Sequence, residues 1–244
     1  MTETITTSPT NPLALPDTWE LVRVALDARR VVFLHGPAGT GKTFAGQRFS
    51  LRGRDVYSVT LTPETPSAEL RGMYMPKGAE FVWSDGVLIR AMREGARLVV
   101  NEVSHAGEDV LAFLYPVLES TETAAITLPT GETVRPADGF QCVVTDNHGL
   151  AGLPQALQSR LSTHVEIPLP HPDSLNRLPE RYQTAAIRSF NVDEPGRDGV
   201  SMRHWHNVAE LVAGGTSEPV AFALTFGRDA AAAMLEAVNV ANDF

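Results

Sequence analysis

The 244-residue chain carries a formal net charge of −9, an ordinary apolar fraction and a single cysteine, Cys142. With no Lys/Arg cluster, that balance argues against broad binding to nucleic acid or anionic membrane, both of which call for a basic face. One thiol allows no internal disulfide and fits a reducing cytoplasm.

Residues 1–16 are rich in Thr, Pro and Asn, and a flexible tail is expected there. They offer neither the basic start nor the apolar centre of a secretory leader, and no apolar run reaches membrane-spanning length, so a soluble cytoplasmic protein is expected. In "TWELVRVALDARR", Leu21, Val22, Ala25 and Leu26 recur at helical spacing. "VVFLHG" reads as a buried strand and "GKTFAGQRFSL" as the helix after it. A second strand, "DVYSVTL", is followed by "PSAELRGMY", which opens with helix-entry residues. "AEFVWSDG" reads as a small hairpin arm and "GVLIRAMREG" as a helix closed by Gly95. "ARLVV" is a buried strand running into Asn101 and Glu102, with a helix beyond. "AITLPTGETVRP" has the form of two extended arms about a Thr-Gly turn. A buried strand "GFQCVVTDN", a short helix "LPQALQSRL" and a last strand "THVEIPLP" complete the region.

Strands alternating with helices predict a three-layer α/β/α fold around a parallel sheet. After Pro170 the patterns are helical with no strand between them, so we expect a core domain over residues 17–170 and a small helical lid over 171–244.

The chemistry concentrates in a few places. "GPAGTGKT" (Gly36, Pro37, Ala38, Gly39, Thr40, Gly41, Lys42 and Thr43) is a complete phosphate-binding loop between a strand and a helix. Its glycines let backbone N–H groups curl around phosphates at a helix N-terminus. Lys42 would reach the β- and γ-phosphates of ATP, and Thr43 would ligate Mg²⁺. Glu102 is placed to polarise an attacking water. Asn101 stands where an aspartate would accept from Mg²⁺-bound water; its amide can still accept but adds no charge. Asn147, just past "VVTD", could hold the water against the γ-phosphate. Arg160 could reach a neighbouring subunit's nucleotide, and Arg203 could touch the γ-phosphate from the lid. His204 and His206, two apart, would face different ways on a helix, and the seven histidines and one cysteine form no metal-ligand spacing. Trp83 is expected in hairpin packing or an exposed loop contact, and Cys142 inside a buried strand.

Taken in order, the phosphate loop, "LRG", "DGVLIRAMREG", "LVVNE", the hairpin, "VVTDN", "QSRL" and "SMR" resemble an AAA+ ATPase of the MoxR type, in the dynein-related subfamily. "GAEFVWSDG" and "AITLPTGETVRP" resemble the hairpins inserted in such proteins. The resemblance implies a homo-oligomer, a hexameric ring with ATP between subunits. It also implies a remodelling or cofactor-insertion role on a protein client, often beside a von Willebrand A domain partner. By this likeness Lys42 and Thr43 bind nucleotide and metal, Glu102 activates water and Asn147 is sensor 1, while Arg160 is the finger and Arg203 sensor 2. Two positions depart from the pattern. Asn101 replaces the usual aspartate, which predicts slow hydrolysis, and Leu161 stands where phenylalanine is commoner. Two other readings stay open: an ATP-gated oligomeric scaffold with little hydrolysis, and an AAA+ protein that handles nucleic acid.

Overall fold

The computed structural model describes residues 17–190 and 200–242; the tail expected over residues 1–16 lies outside the described residues. Helix α1 (Thr18–Ala28) begins where Asp17 accepts from the backbone N–H of Trp19 at 2.8 Å and of Glu20 at 3.0 Å, so two of the helix's orphan donors are satisfied. Strand β1 (Val31–His35) then leads through the glycine-rich loop into α2 (Lys42–Arg48), and β2 (Val56–Thr60) into α3 (Ser67–Arg71). A hairpin, β3 (Gly72–Lys77) and β4 (Glu80–Asp85), separates α3 from α4 (Val87–Glu94). Next come β5 (Arg97–Asn101), a single 3₁₀ turn over Val103–His105, and α5 (Glu108–Leu118). A second small hairpin, β6 (Ile126–Thr127) and β7 (Thr133–Val134), precedes β8 (Gln141–Asp146), α6 (Gln155–Gln158) and β9 (His164–Glu166).

The five long-range strands form a parallel sheet in the order β2-β5-β8-β1-β9. Its central strands read as unbroken apolar runs because both faces are covered. Val32, Leu34, Val99 and Val143 pack with α1 and α2 on one side. Phe33, Leu98, Val100, Cys142 and Val144 pack with α3, α4 and α5 on the other. The three-layer expectation is met. Cys142 is fully buried, and burial pushes its thiol up to about 12.

Two buried polar side chains tie the helices to the sheet. Arg97, fully buried at the start of β5, donates to the carbonyls of Gly46, Phe49 and Ser50 at the C-terminal end of α2, and to Gln141 Oε1 at 2.7 Å. Gln141 in turn donates to the carbonyls of Leu26 and Arg29 at the end of α1. The last carbonyls of both helices thus find donors, which fixes the helix that opens the glycine-rich loop.

Some boundaries differ from the expectation. "GMY" does not continue α3: Gly72, at φ 110°, turns the chain into β3, and the hairpin has two full arms rather than the one read from "AEFVWSDG". Trp83 meets Tyr74 edge-on at 5.2 Å across that hairpin and donates to Asp85 at 2.7 Å. The helix expected directly after Glu102 is divided, a 3₁₀ turn and then α5.

Beyond Pro170, α7 (Pro172–Asn176), α8 (Glu180–Arg188), α9 (Met202–Ala213), α10 (Glu218–Phe226) and α11 (Arg228–Asn242) follow, with no strand among the described residues. They close on a core of their own that includes Tyr182, Trp205, Phe222 and Val238. Pro179 separates α7 from α8, and Gly227, at φ 84°, splits the long pattern "PVAFALTFGRDAAAAMLEAVNV" into α10 and α11. Among the described residues no helix is long and apolar enough to cross a membrane.

Candidate functional site

Parallel α/β sheets bind ligands outside the C-terminal ends of their strands. Here β5, β8 and β1 are neighbours, so Asn101–Glu102, Asp146–Asn147 and the glycine-rich loop emerge side by side. Two glycines make the approach possible. A side chain on Gly36 (φ 132°) would place its Cβ 2.4 Å from the Ile167 carbonyl oxygen, and one on Gly39 (φ 77°) would lie 2.3 Å from Cβ of Ser201, at the start of α9. The second contact puts the start of α9 directly over the loop.

Lys42 is almost wholly buried, and its ammonium donates to the carbonyls of Gly36 at 2.7 Å and Pro37 at 2.8 Å and to Asn147 Oδ1 at 2.9 Å. Burial lowers its pKa to about 8, against the pull of Glu102 and Asp146 and with a push from Arg203. The Asn147 amide group donates to both Glu102 oxygens, at 3.3 and 3.1 Å. Asn147 is thus a bridge between lysine and glutamate. Glu102 itself adopts the left-handed conformation (φ 57°, ψ 50°), uncommon for a residue with a side chain. Strain of this kind gathers where side-chain aim matters.

Asp146, which the sequence reading passed over, holds this geometry. It is fully buried and accepts from the backbone N–H of Ser104 at 2.7 Å and of His148 at 2.9 Å. One carboxylate therefore clamps the turn after Glu102 and the turn after Asn147.

A cavity of about 540 Å³ opens over these groups. Ala38 to Thr43 line it, with Glu102, Asn147 and, from α9, Arg203. Its other wall is aromatic: Trp19 meets His171 at 4.8 Å and Phe49 at 6.0 Å, and Arg23 lies 4.8 Å above the Phe49 ring. These residues come from α1, the end of α2 and the start of α7, a set that no local spacing reveals. The volume suits a drug-sized ligand.

Two expected site residues do not line this cavity. Asn101 is only 5 % exposed and sits beneath Thr43 rather than on the cavity wall. Its carbonyl oxygen already accepts from Thr43 Oγ1 at 2.7 Å and from Thr145 Oγ1 at 3.0 Å, which occupies both lone pairs. The hydrogen bond to Thr43 ties Asn101 to the residue expected to ligate Mg²⁺. Arg160 does not line the cavity; it pairs with Glu119 at 2.5 Å, donates to the Ala156 carbonyl at 2.6 Å and covers the Tyr115 ring at 5.2 Å. His204 and His206 go separate ways: Nδ1 of His204 accepts from the Ser201 N–H at 3.0 Å, and Nε2 of His206 lies 3.1 Å from Ser174 Oγ.

The family model for the AAA domain (dynein-related subfamily) matches residues 31–161. The chain belongs to this family. That match runs from β1 through the end of α6, so it takes in every sheet residue named above except those of β9. Among curated relatives, the chain is 38 % identical over 128 residues to Protein NorQ of Paracoccus denitrificans, covering 52 % of this chain and 47 % of that protein. It is 32 % identical over 123 residues to the denitrification regulatory protein NirQ of Stutzerimonas stutzeri, covering 50 % and 44 %. The chain thus spans about half the length of these relatives. The MoxR-type resemblance drawn from the ordered motifs agrees with them. Among solved structures, NtrX from Brucella abortus in complex with ATP superposes with a TM-score of 0.56 at 14 % identity, covering 91 % of this chain and 66 % of that one, a likeness of fold.

Proposed function

We propose that this protein binds ATP in the cavity over Lys42 and hydrolyses it slowly in an oligomeric ring, acting on a protein partner in the cytoplasm. The observation that carries the reading is the convergence of the phosphate loop, Glu102, Asn147 and the lid residue Arg203 on one cavity. The triphosphate would lie along the N–H groups opening α2, with Lys42 turning from its loop carbonyls to the β- and γ-oxygens. NtrX has been solved with ATP and with ADP, and NorQ and NirQ share this chain's family. The resemblance to MoxR-type proteins supports a client beside a von Willebrand A domain partner.

The donor chemistry fits Mg²⁺. Because Thr43 spends its one proton on Asn101, its oxygen lone pairs are left to face the cavity. A hydroxyl together with phosphate oxygens and water makes a hard, oxygen-only donor set of the kind Mg²⁺ prefers. When bound, the ion would neutralise charge on the β- and γ-phosphates. Glu102 would take a proton from water held by Asn147, and Arg203 would steady the γ-phosphate from above.

The purine would stand against Trp19, Phe49 and His171. Trp19→Ala should weaken ATP binding by about tenfold while leaving turnover at saturating ATP nearly unchanged, since stacking of a base on an aromatic is worth roughly 1–3 kcal/mol. Titration calorimetry reads the first effect and steady-state phosphate release the second.

The ring reading rests on the family resemblance, with Arg160 as the finger it implies. Arg160 stands away from its own chain's cavity, as a residue acting on a neighbour's γ-phosphate must. Light scattering should find a larger particle with a slowly hydrolysed ATP analogue than without nucleotide. Arg160→Ala should keep ATP binding and lose turnover by roughly three decades or more. A chain that stays monomeric with the analogue at high concentration removes this reading. A second reading, an ATP-gated scaffold with little hydrolysis, is favoured by the amide at Asn101, which puts no negative charge beneath Thr43.

A further inference from the structure

Asn101 has the most fully determined side chain in the site. Besides accepting from Thr43 and Thr145, it donates through Nδ2 to the Val59 carbonyl at 3.1 Å and to Ser58 Oγ at 3.2 Å. The Val59 carbonyl can only accept, so the nitrogen of the amide must face β2 and the oxygen must face Thr43. All the hydrogen-bonding capacity of the side chain is therefore used, at a position 5 % exposed. An aspartate fits half of this pattern. One oxygen would accept from the two threonines as now, but the other would lie against the Val59 carbonyl oxygen, acceptor against acceptor, in a buried place.

We propose that Asn101 is a positioning residue that acts through Thr43, and that the site is built for an amide rather than being a weakened acid site. On this account Asn101 fixes the Thr43 proton on its own side, aims the threonine lone pairs at the nucleotide's cation and pins β2 to β5 beneath them. It makes no contact with the cation's water. The inference rests on the nucleotide reading of the cavity for the role of Thr43. The fit of an amide against Val59 is independent of that reading.

Two measurements test it. The first is thermal unfolding without nucleotide or metal: Asn101→Asp should lower the melting temperature by roughly 4–8 °C, and Asn101→Ala by a comparable amount. The second is Mg²⁺-dependent ATP binding in a double-mutant cycle. Asn101→Ala and Thr43→Val should each raise the Mg²⁺ concentration needed for half-maximal binding. The double variant should need no more than Thr43→Val alone, because both remove one interaction. Asn101→Asp should turn over ATP no faster than wild type. Additive effects in the cycle would overturn the proposal, as would an Asn101→Asp protein that melts like wild type and turns over tenfold faster. A mere packing role for Asn101 would lower the melting temperature but leave the Mg²⁺ requirement unmoved, and that too would overturn it. If wild-type protein bound no nucleotide, the reading of the cavity would fail, and the melting temperature of Asn101→Asp would still decide whether the site demands an amide.

Discussion

Lys42→Ala is expected to lower ATP affinity by about two to four decades, because two charge-assisted hydrogen bonds to phosphate disappear from a largely dehydrated site and each is worth roughly 1.5–3 kcal/mol. Alanine also strips the donor from the Gly36 and Pro37 carbonyls and from Asn147 Oδ1, so the loop loses its internal brace as well as its charge. Calorimetric titration with ATP and Mg²⁺ checks the loss; unchanged affinity would mean that the cavity is not a triphosphate site. The same lysine gives the affinity a pH dependence. Burial holds its pKa at about 8 in the free protein, below the ordinary value of 10.5. Between those values the unfolded chain binds more protons than the folded one, so the cost of burying the charge is fully present below pH 8 and is relieved as pH rises toward 10.5. A triphosphate favours the charged lysine and so acts in the opposite sense. ATP binding should draw in a proton above pH 8, and affinity should fall there by at most about tenfold per pH unit. Titrations in buffers of different ionisation enthalpy would detect the proton directly.

The parts of the molecule that could be read from the sequence are those whose determinants are local. "VVFLH" and "RLVV" are apolar without alternation because each strand is covered on both faces, and the glycines of the loop stand at fixed offsets from Lys42. The adjacency of Glu102, Asn147 and Lys42 followed from placing three such motifs at the ends of parallel strands. What escaped was non-local. The first arm of the β3–β4 hairpin continues an amphipathic helix in sequence, and only its pairing with β4, from Gly72 opposite Asp85 to Lys77 opposite Glu80, makes it a strand. Trp19 drew no reading of its own in the sequence; its place on the cavity wall depends on Phe49 and His171, far along the chain. Asp146 stood in a strand run without a role of its own, because its partners are backbone N–H groups on two different loops. Asn101 was legible as a departure from a pattern, but the reason for the amide is a main-chain carbonyl on a neighbouring strand, which no side-chain motif records.

Glu102→Gln should leave ATP bound and lower turnover by about 10²–10⁴-fold, the range that a positioned general base contributes. The substitution is nearly isosteric. A glutamine carbonyl can still accept from the Asn147 amide, which now reaches both Glu102 oxygens, so the bridge from Lys42 through Asn147 should survive in part. What is lost is the basic oxygen that takes the proton from water, and one of the two negative charges that raise the Lys42 pKa. The second loss gives the variant a signature separate from its rate. Its lysine should deprotonate at lower pH than in wild type, so ATP affinity should begin to fall at lower pH. A variant that merely unfolds the loop would instead lose affinity at every pH. Phosphate release measured in the assembled state, wild type against Glu102→Gln, then separates the two readings of the protein. A wild-type rate well above the variant's, dependent on Mg²⁺, supports a slow motor in which Glu102 does the chemistry. Equal rates, with ATP-driven assembly intact, would leave the ATP-gated scaffold, with Glu102 serving through Asn147 to keep Lys42 charged and aimed at the nucleotide.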